Sequence, residues 1–281
     1  MEICDLHTHS YFSDGTLSPE ELMQQAEQAG LSAIALCDHN TVAGLPRFLK
    51  AGQGSPVRTI PGIEFSTDYD GTELHLIMLF VKPSDYGPIT SKMEAFRQRK
   101  EESNRALVQA LQQAGFRIDY DRMKKDTPDQ YLNRAHIAAE LTRQGYADSI
   151  KDAFRRYLAP GGGYYTPPMR EDFFETVRFI RSLQGVAVLA HPFLNLTEEQ
   201  LICLLPKAAE CGLQAMETMY SQYDPDTTRK AKNLAKRFGL LESGGSDFHG
   251  ANKPAIHLGT GTGELQIPSD VIRQLESQYP F

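Results

Sequence analysis

Six short, nearly continuous apolar runs, each carrying a histidine or a carboxylate at or near its end, constrain this chain more than any other feature. Met1-Glu2-Ile3-Cys4 leads into Asp5-Leu6-His7-Thr8-His9, and Ala33-Ile34-Ala35-Leu36-Cys37 leads into Asp38-His39. Thr59-Ile60-Pro61-Gly62-Ile63 leads into Glu64, and residues 73–80 carry His75. Residues 185–190 run into His191-Pro192, and residues 240–246 run into Asp247-Phe248-His249. Apolar runs of this length mark strands covered on both faces, as in parallel sheets. In a parallel barrel, catalytic side chains gather at the C-terminal ends of the strands. One histidine at a strand end is most simply a hydrogen-bonded core residue; six of the chain's eight in that position point to a shared site.

Between the runs lie helical signals. Ser18-Pro19-Glu20-Glu21 is a capping box with proline at the first helical position, opening a helix that ends at Gly30. Further helices are expected near 45–51 and over 172–183, 198–211 and 227–238. With strands near Ile3, Ile34, Ile60, Leu76, Val188, Met216 and Leu241, the rhythm is that of an α/β fold with a parallel sheet. Seven strands are one short of a regular eight-stranded barrel.

Between the strands at Leu76 and Val188, about a hundred residues carry no strand signal. Helices are expected over 91–114, 134–144 and 149–158, followed by Pro160-Gly161-Gly162-Gly163-Tyr164-Tyr165. A connection this long with its own helices reads as an inserted lobe. The expected division is a barrel of residues 1–90 and 171–281 with a mainly helical lobe, 91–170, over the end that carries the histidines.

Charge follows the same division. The chain has a net charge of −7, yet residues 95–170 hold fourteen basic and nine acidic residues, a net +5 that leaves −12 elsewhere. An acidic barrel fits clustered metal-binding carboxylates. A basic lobe fits an anionic substrate, although Arg97, Arg99, Lys100, Lys124 and Lys125 read first as a solvated helix surface. The four cysteines show no metal-ribbon spacing, and no apolar run approaches the roughly 20 residues of a membrane span. The expected setting is cytoplasmic, with no membrane association, no stable DNA complex and no obligate protein partner.

These motifs, Asp5-Leu6-His7-Thr8-His9-Ser10, Ser13-Asp14-Gly15, Asp38-His39, Gly62-Ile63-Glu64, His75, His191-Pro192 and Gly245-Ser246-Asp247-Phe248-His249-Gly250, resemble those of the PHP (polymerase and histidinol phosphatase) family of metal hydrolases. The resemblance implies a distorted (β/α)7 TIM-like barrel and three divalent metals. His7, His9, Glu64 and Asp247 would hold the first, Asp14, His39 and His249 the second, and Glu64, His75 and His191 the third. Imidazole and carboxylate ligands without thiolate suit manganese, iron or zinc alike. Asp5 and Asp38 are expected to orient ligating imidazoles.

The lobe, with Asn133-Arg134-Ala135-His136, resembles the branch that acts on nucleoside 3′,5′-bisphosphates and on the 5′ ends of short RNA. The resemblance therefore implies a small phosphorylated substrate and attack on phosphorus by a hydroxide bridging the metals. Arg134, His136, Asp247 and His191 are expected to carry the chemistry. Asn133, Tyr164 and Tyr220 are expected, with Arg134 and His136, to contact substrate. Asp14 replaces the histidine of typical histidinol phosphatases in this family, which weighs against that substrate. A histidinol phosphatase, an amide hydrolase and a catalytically silent scaffold remain the alternative readings.

Overall fold

The structure, a computed structural model, describes residues 2–127, 132–159 and 163–278. Its centre is a mixed sheet. Strands β1 (Ile3–Thr8), β2 (Ala33–Leu36) and β3 (Arg58–Tyr69) are parallel, and β4 (Thr72–Leu79) runs antiparallel to β3. A two-residue strand, β5 (Glu171–Asp172), pairs with the far end of β3. Strands β6 (Val186–Leu189), β7 (Ala215–Tyr220) and β8 (Leu241–Gly245) are again parallel, with β6 against β4. Beyond β8 the chain bridges back to β1, where His9 N donates to Phe248 O at 3.0 Å and Asp247 N to His7 O at 2.8 Å. The lower part of that seam is taken by β9 (Ile267–Pro268), antiparallel to Ile3 and Cys4. The sheet thus nearly closes into a TIM-like barrel.

All seven expected strands are present, but the sheet is not all parallel. Asp70-Gly71 joins β3 to β4 with φ of 51° and 79°. A two-residue Asp-Gly turn makes a hairpin, whereas a parallel partner needs a crossover of a dozen residues or more. His75 accordingly lies within an antiparallel strand, opposite Ser66, rather than at a strand's C-terminal end.

Helices α1 (Pro19–Gln28) and α2 (Leu45–Ala51) follow β1 and β2, and Ser18 and Glu21 form the capping box their spacing predicts. Leu22, Met23 and Ala26 of α1 pack on Ile34 and Leu36, the outer face of β2. The inner face is a separate cluster of smaller side chains, including Cys4, Ala33, Ala35, Cys37, Val188 and Ala215. Small residues let facing strands approach across the barrel, so the interior is filled rather than open.

The segment between β4 and β5 is helical. Helix α3 (Tyr86–Gln113) starts five residues before the expected Ser91, and Ile89 and Met93 near its start pack on the barrel. Its far end supplies Leu107, Val108 and Leu111 to a second core shared with α4 (Tyr120–Asp126) and α5 (Arg134–Arg143). The helix expected over 149–158 is instead α6 (Ile150–Ala153) followed by a wider turn, Phe154–Leu158. Pro160-Gly161-Gly162 of the glycine run lie outside the described residues. Helices α7 (Phe173–Ser182), α8 (Glu198–Glu210) and α9 (Pro225–Arg237) alternate with the last strands. A final helix, α10 (Asp270–Glu276), closes the barrel floor with Val271, Ile272 and Leu275. Neither α4 nor α10 is announced by the sequence. Among the described residues no helix is long and apolar enough to cross a membrane.

Candidate metal centre

The strand ends, the interior of β4 and the loop after β1 bring all nine expected ligand side chains to one place. A register shift in β1 between Asp5 and Thr8 is what puts His7 there, because a bulge breaks the period of two. Gly245 on β8 makes room for His7: a Cβ there would lie 2.1 Å from that of His7. After His9 the chain doubles back at Gly15, whose Cβ would meet the His9 carbonyl oxygen at 2.4 Å, and this return delivers Asp14. Asn40, His191 and Asp247 have φ of 55°, 28° and 56°. Such strained backbone persists only where surrounding structure holds it, and it gathers at functional sites.

Glu64, fully buried, is the hub. Its Oε1 lies 2.9 Å from His75 Nδ1 and 3.1 Å from His191 Nε2. Its Oε2 lies 2.9 Å from His39 Nδ1, 3.3 Å from His7 Nε2 and 3.4 Å from His9 Nε2. Asp247 Oδ1 is 3.3 Å from His9 Nε2, and Asp14 Oδ1 is 3.2 Å from His249 Nε2.

Three overlapping groups have donor atoms within 4.8 Å of one another: His9, Asp14, His39 and His249; His7, His9 and Glu64; and His39, Glu64 and His75. His9 and His39 each fall in two groups, so the division is less strict than the three sets implied by resemblance. The donors fit divalent transition metals. Five buried atoms without a hydrogen-bond partner point inward here: His7 Nε2, both nitrogens of His9, His39 Nδ1 and Glu64 Oε2. Buried polar atoms are almost always paired, so this convergence itself calls for cations.

The supporting contacts differ from expectation. Asp38 accepts from Ser10 N (2.8 Å), Ser10 Oγ (2.6 Å) and Ser13 Oγ (2.7 Å), and Asp5 accepts from Ser246 N (2.9 Å) and Gly259 N (2.8 Å). Both therefore tie down loops and orient no imidazole. Burial pushes the Asp38 carboxyl up to about 7, against the pull of those serines. The carboxylate that orients an imidazole is Glu217, 2.9 Å from His7 Nδ1, and its other oxygen accepts from His191 N at 2.7 Å. Its one sequence signal is a carboxylate inside the apolar run Ala215-Met216-Glu217. On His7, burial disfavours the cation, but the Glu64 and Glu217 carboxylates outweigh it and hold the ring well above its usual value.

Asp247 Oδ2 accepts from the Tyr220 hydroxyl (2.8 Å) and from Lys253 Nζ (2.6 Å). Tyr220 thus reaches Asp247, while no motif singles out Lys253. Glu73, also not foreseen, accepts from Arg170 Nη2 at 2.6 Å and lies 3.3 Å from His75 Nε2.

Arg134 opens α5 and lines both small cavities over the cluster, of about 110 and 240 Å³, which share His39, Glu73 and His75. Its guanidinium stacks on Tyr165 at 4.2 Å and donates to Leu158 O at 3.2 Å. Lys100 lines the smaller cavity, whereas Arg99 and Lys124 pair with Glu171 and Glu101. His136 Nδ1 accepts from Asn133 N at 3.2 Å. An amide can only donate, so the neutral ring carries its proton on Nε2. Burial, with Lys100 nearby, lowers the His136 pKa and favours that neutral form.

Of the remaining expected substrate contacts, Asn133 lines the smaller cavity beside Arg134, and Tyr164 lines neither. Tyr164 packs against Phe116 and Tyr157 in the lobe, at 6.1 and 6.3 Å between ring centres. The Asn133 side chain caps α5 and bonds to Ser13 O, which leaves its amide engaged on both sides. A larger cavity of about 480 Å³ at the barrel floor holds no such cluster, and its Arg58 and Arg273 are paired with Glu276 and Asp270.

A set of six imidazoles and three carboxylates, most of them buried, at the mouth of this barrel defines a metal-dependent hydrolase. The chain belongs to the PHP-domain family, whose model matches residues 5–206. It is 31% identical to a 5′-3′ exoribonuclease of Haemophilus influenzae over 246 residues, 87% of this chain and 89% of that one. It is 28% identical to a 3′,5′-nucleoside bisphosphate phosphatase of Chromobacterium violaceum over 281 residues, 99% and 98% of the two chains. A Bifidobacterium adolescentis protein described as a metal-dependent phosphoesterase superposes with a TM-score of 0.88 at 27% identity, covering 100% of this chain and 97% of that one. The protein is a metal-dependent phosphoesterase of the PHP family.

Proposed function

We propose that this enzyme removes the 3′-phosphate of nucleoside 3′,5′-bisphosphates and acts as well on the 5′ ends of short RNA. The observation that carries this reading is Arg134, held by stacking at the edge of the metal-ligand cluster with its guanidinium lining both cavities. A planar guanidinium with donors to spare suits a phosphate dianion better than an amide substrate. The two relatives named for bisphosphate and RNA substrates support the same class.

His7, His9, Asp14, His39, Glu64, His75, His191, Asp247 and His249 would hold up to three divalent metals. Manganese, iron or zinc bound there would polarise the ester and lower the pKa of water to about 7. The chain's own groups do the rest. Arg134 binds two phosphoryl oxygens and orients the ester. His136, neutral with its proton on Nε2 and on the helix turn next to Arg134, donates a hydrogen bond from that nitrogen to a phosphoryl oxygen. Tyr220 and Lys253 hold one oxygen of Asp247, which keeps the other turned to the histidines. The lobe residues around Arg134 limit water over the cluster.

Phosphate release by the manganese-loaded protein tests the reading. Adenosine 3′,5′-bisphosphate, a 5′-phosphorylated RNA dinucleotide and histidinol phosphate are compared, with His39→Ala as control. Preference for the bisphosphate, lost in the control, is expected. Preference for histidinol phosphate would overturn the substrate assignment.

A further inference from the structure

The lobe residues Arg134 and His136 can serve the cluster only if α5 is fixed relative to the barrel. The polar contacts of this lobe mostly end inside it: Arg122 and Arg143 pair with Glu140, Arg156 pairs with Asp152, and Arg134 bonds to Leu158 O. Asn133 differs. Its Oδ1 accepts from Ala135 N (2.9 Å) and His136 N (3.2 Å), while its Nδ2 donates to the carbonyl of Ser13 on the barrel. Ser13 is next to Asp14, and its hydroxyl is anchored on Asp38 at 2.7 Å. Asn133 is 4% exposed, so water does not compete for either bond.

We propose that Asn133 is a positioning residue: one amide both caps the helix that presents Arg134 and His136 and clasps that helix to the loop that presents Asp14. The clasp rests on the phosphoesterase reading for its effect on turnover, but not for its effect on the loop. Its chemistry needs an acceptor toward the helix and a donor toward the barrel at one position. A primary amide supplies them on two atoms that point apart, whereas a serine hydroxyl holds both on one oxygen too close to its backbone to cap the helix and reach Ser13 O together. Aspartate and serine cap a helix as well as asparagine does. Aspartate, however, offers no proton to Ser13 O and sets a negative oxygen against it.

The test uses the metal-loaded protein and its Asn133→Asp and Asn133→Ser variants. Hydrogen exchange of the peptide covering residues 10–16 is read first, with Tm and metal content by emission spectroscopy. Kinetics on adenosine 3′,5′-bisphosphate follow. Because the cap survives, Tm is expected to stay near that of the parent, while exchange in residues 10–16 speeds up. Misplacing a binding group by about 1 Å can cost about 10²-fold, so kcat/KM is expected to fall between 10- and 10²-fold, mainly through KM. Unchanged exchange in the serine variant, which carries no new charge, would overturn the clasp. Faster exchange with unchanged KM would show that Asn133 holds the loop without positioning substrate, and would overturn its positioning role. If the parent protein fails to hydrolyse the bisphosphate, the substrate assignment fails, while hydrogen exchange still decides the clasp.

Discussion

Glu217 Oε1 lies 2.9 Å from Nδ1 of His7, on the side of the ring opposite the nitrogen that faces Glu64. The same carboxylate accepts the backbone N–H of His191, whose φ of 28° needs such a restraint. One buried side chain therefore fixes the tautomer of one ligand and the backbone of another. Outer partners of this kind typically account for 10- to 100-fold in metal affinity. Glu217→Gln, which keeps shape but removes charge, is expected to weaken metal binding by about that factor. Competition with a chromogenic chelator measures it; affinity equal to the parent's would show that Glu217 does not support the site.

Metal removal should loosen the whole barrel. His9 has neither ring nitrogen hydrogen-bonded and Glu64 Oε2 lacks a hydrogen-bond partner, so without cations these buried atoms stand uncompensated. Ions that bind the folded state at 100 to 1,000 times Kd add about 2.7–4.1 kcal/mol. For a chain of this size that corresponds to a Tm loss of roughly 5–15 °C on chelation, reversed by manganese, iron or zinc. A differential scanning fluorimetry trace unmoved by chelation, with metal loss verified by emission spectroscopy, would mean the cluster holds no stabilising ion.

Apart from His75, which lies inside β4, the ligands could be picked out in the sequence because each sits at a strand end or in a tight local motif, where short-range spacing decides direction. What had to be learned from the structure depends on partners distant in sequence or on backbone parity. Glu217 earns its role from His7, two hundred and ten positions away. Lys253 reaches Asp247 across a short loop that no motif describes. Asp5 shares parity with His7 in a regular strand, and the bulge between Asp5 and Thr8 removes it. Tyr164 and Tyr165 are neighbours in the same cluster, and nothing local decides which one meets Arg134. The hairpin was within reach: Asp70-Gly71 between two strand-like runs is a turn signal that outweighs the apolar pattern.

Arg134 is expected to act through its fork and its stack together. Removing a hydrogen bond to a charged group costs about 1.5–3 kcal/mol, so Arg134→Ala should lower kcat/KM by roughly 10- to 10²-fold, mostly as a rise in KM. Arg134→Lys should recover little, since a lysine ammonium neither forks onto phosphate nor stacks on Tyr165 in the same way. Tyr165→Leu keeps the charge and removes the face beneath it, and should show a smaller rise in KM. Steady-state kinetics on one phosphate monoester suffice, and an Arg134→Ala enzyme with parental KM would take this residue out of the site.

Tyr220 donates to the oxygen of Asp247 that Lys253 also contacts, leaving Oδ1 toward His9 and His249. Burial first, then the Asp247 carboxylate, pushes the phenol far above its usual value, so it stays a donor through the alkaline range. Tyr220→Phe removes that donor without changing the ring. The lost bond to a carboxylate is of the order of 1.5–3 kcal/mol, about 10- to 10²-fold if it falls wholly on metal affinity. Because the hydroxyl never ionises in the working range, the alkaline limb of the pH profile should be the same in parent and variant. A limb that shifts in Tyr220→Phe would show that Tyr220 exchanges a proton during turnover, a different role from holding Asp247.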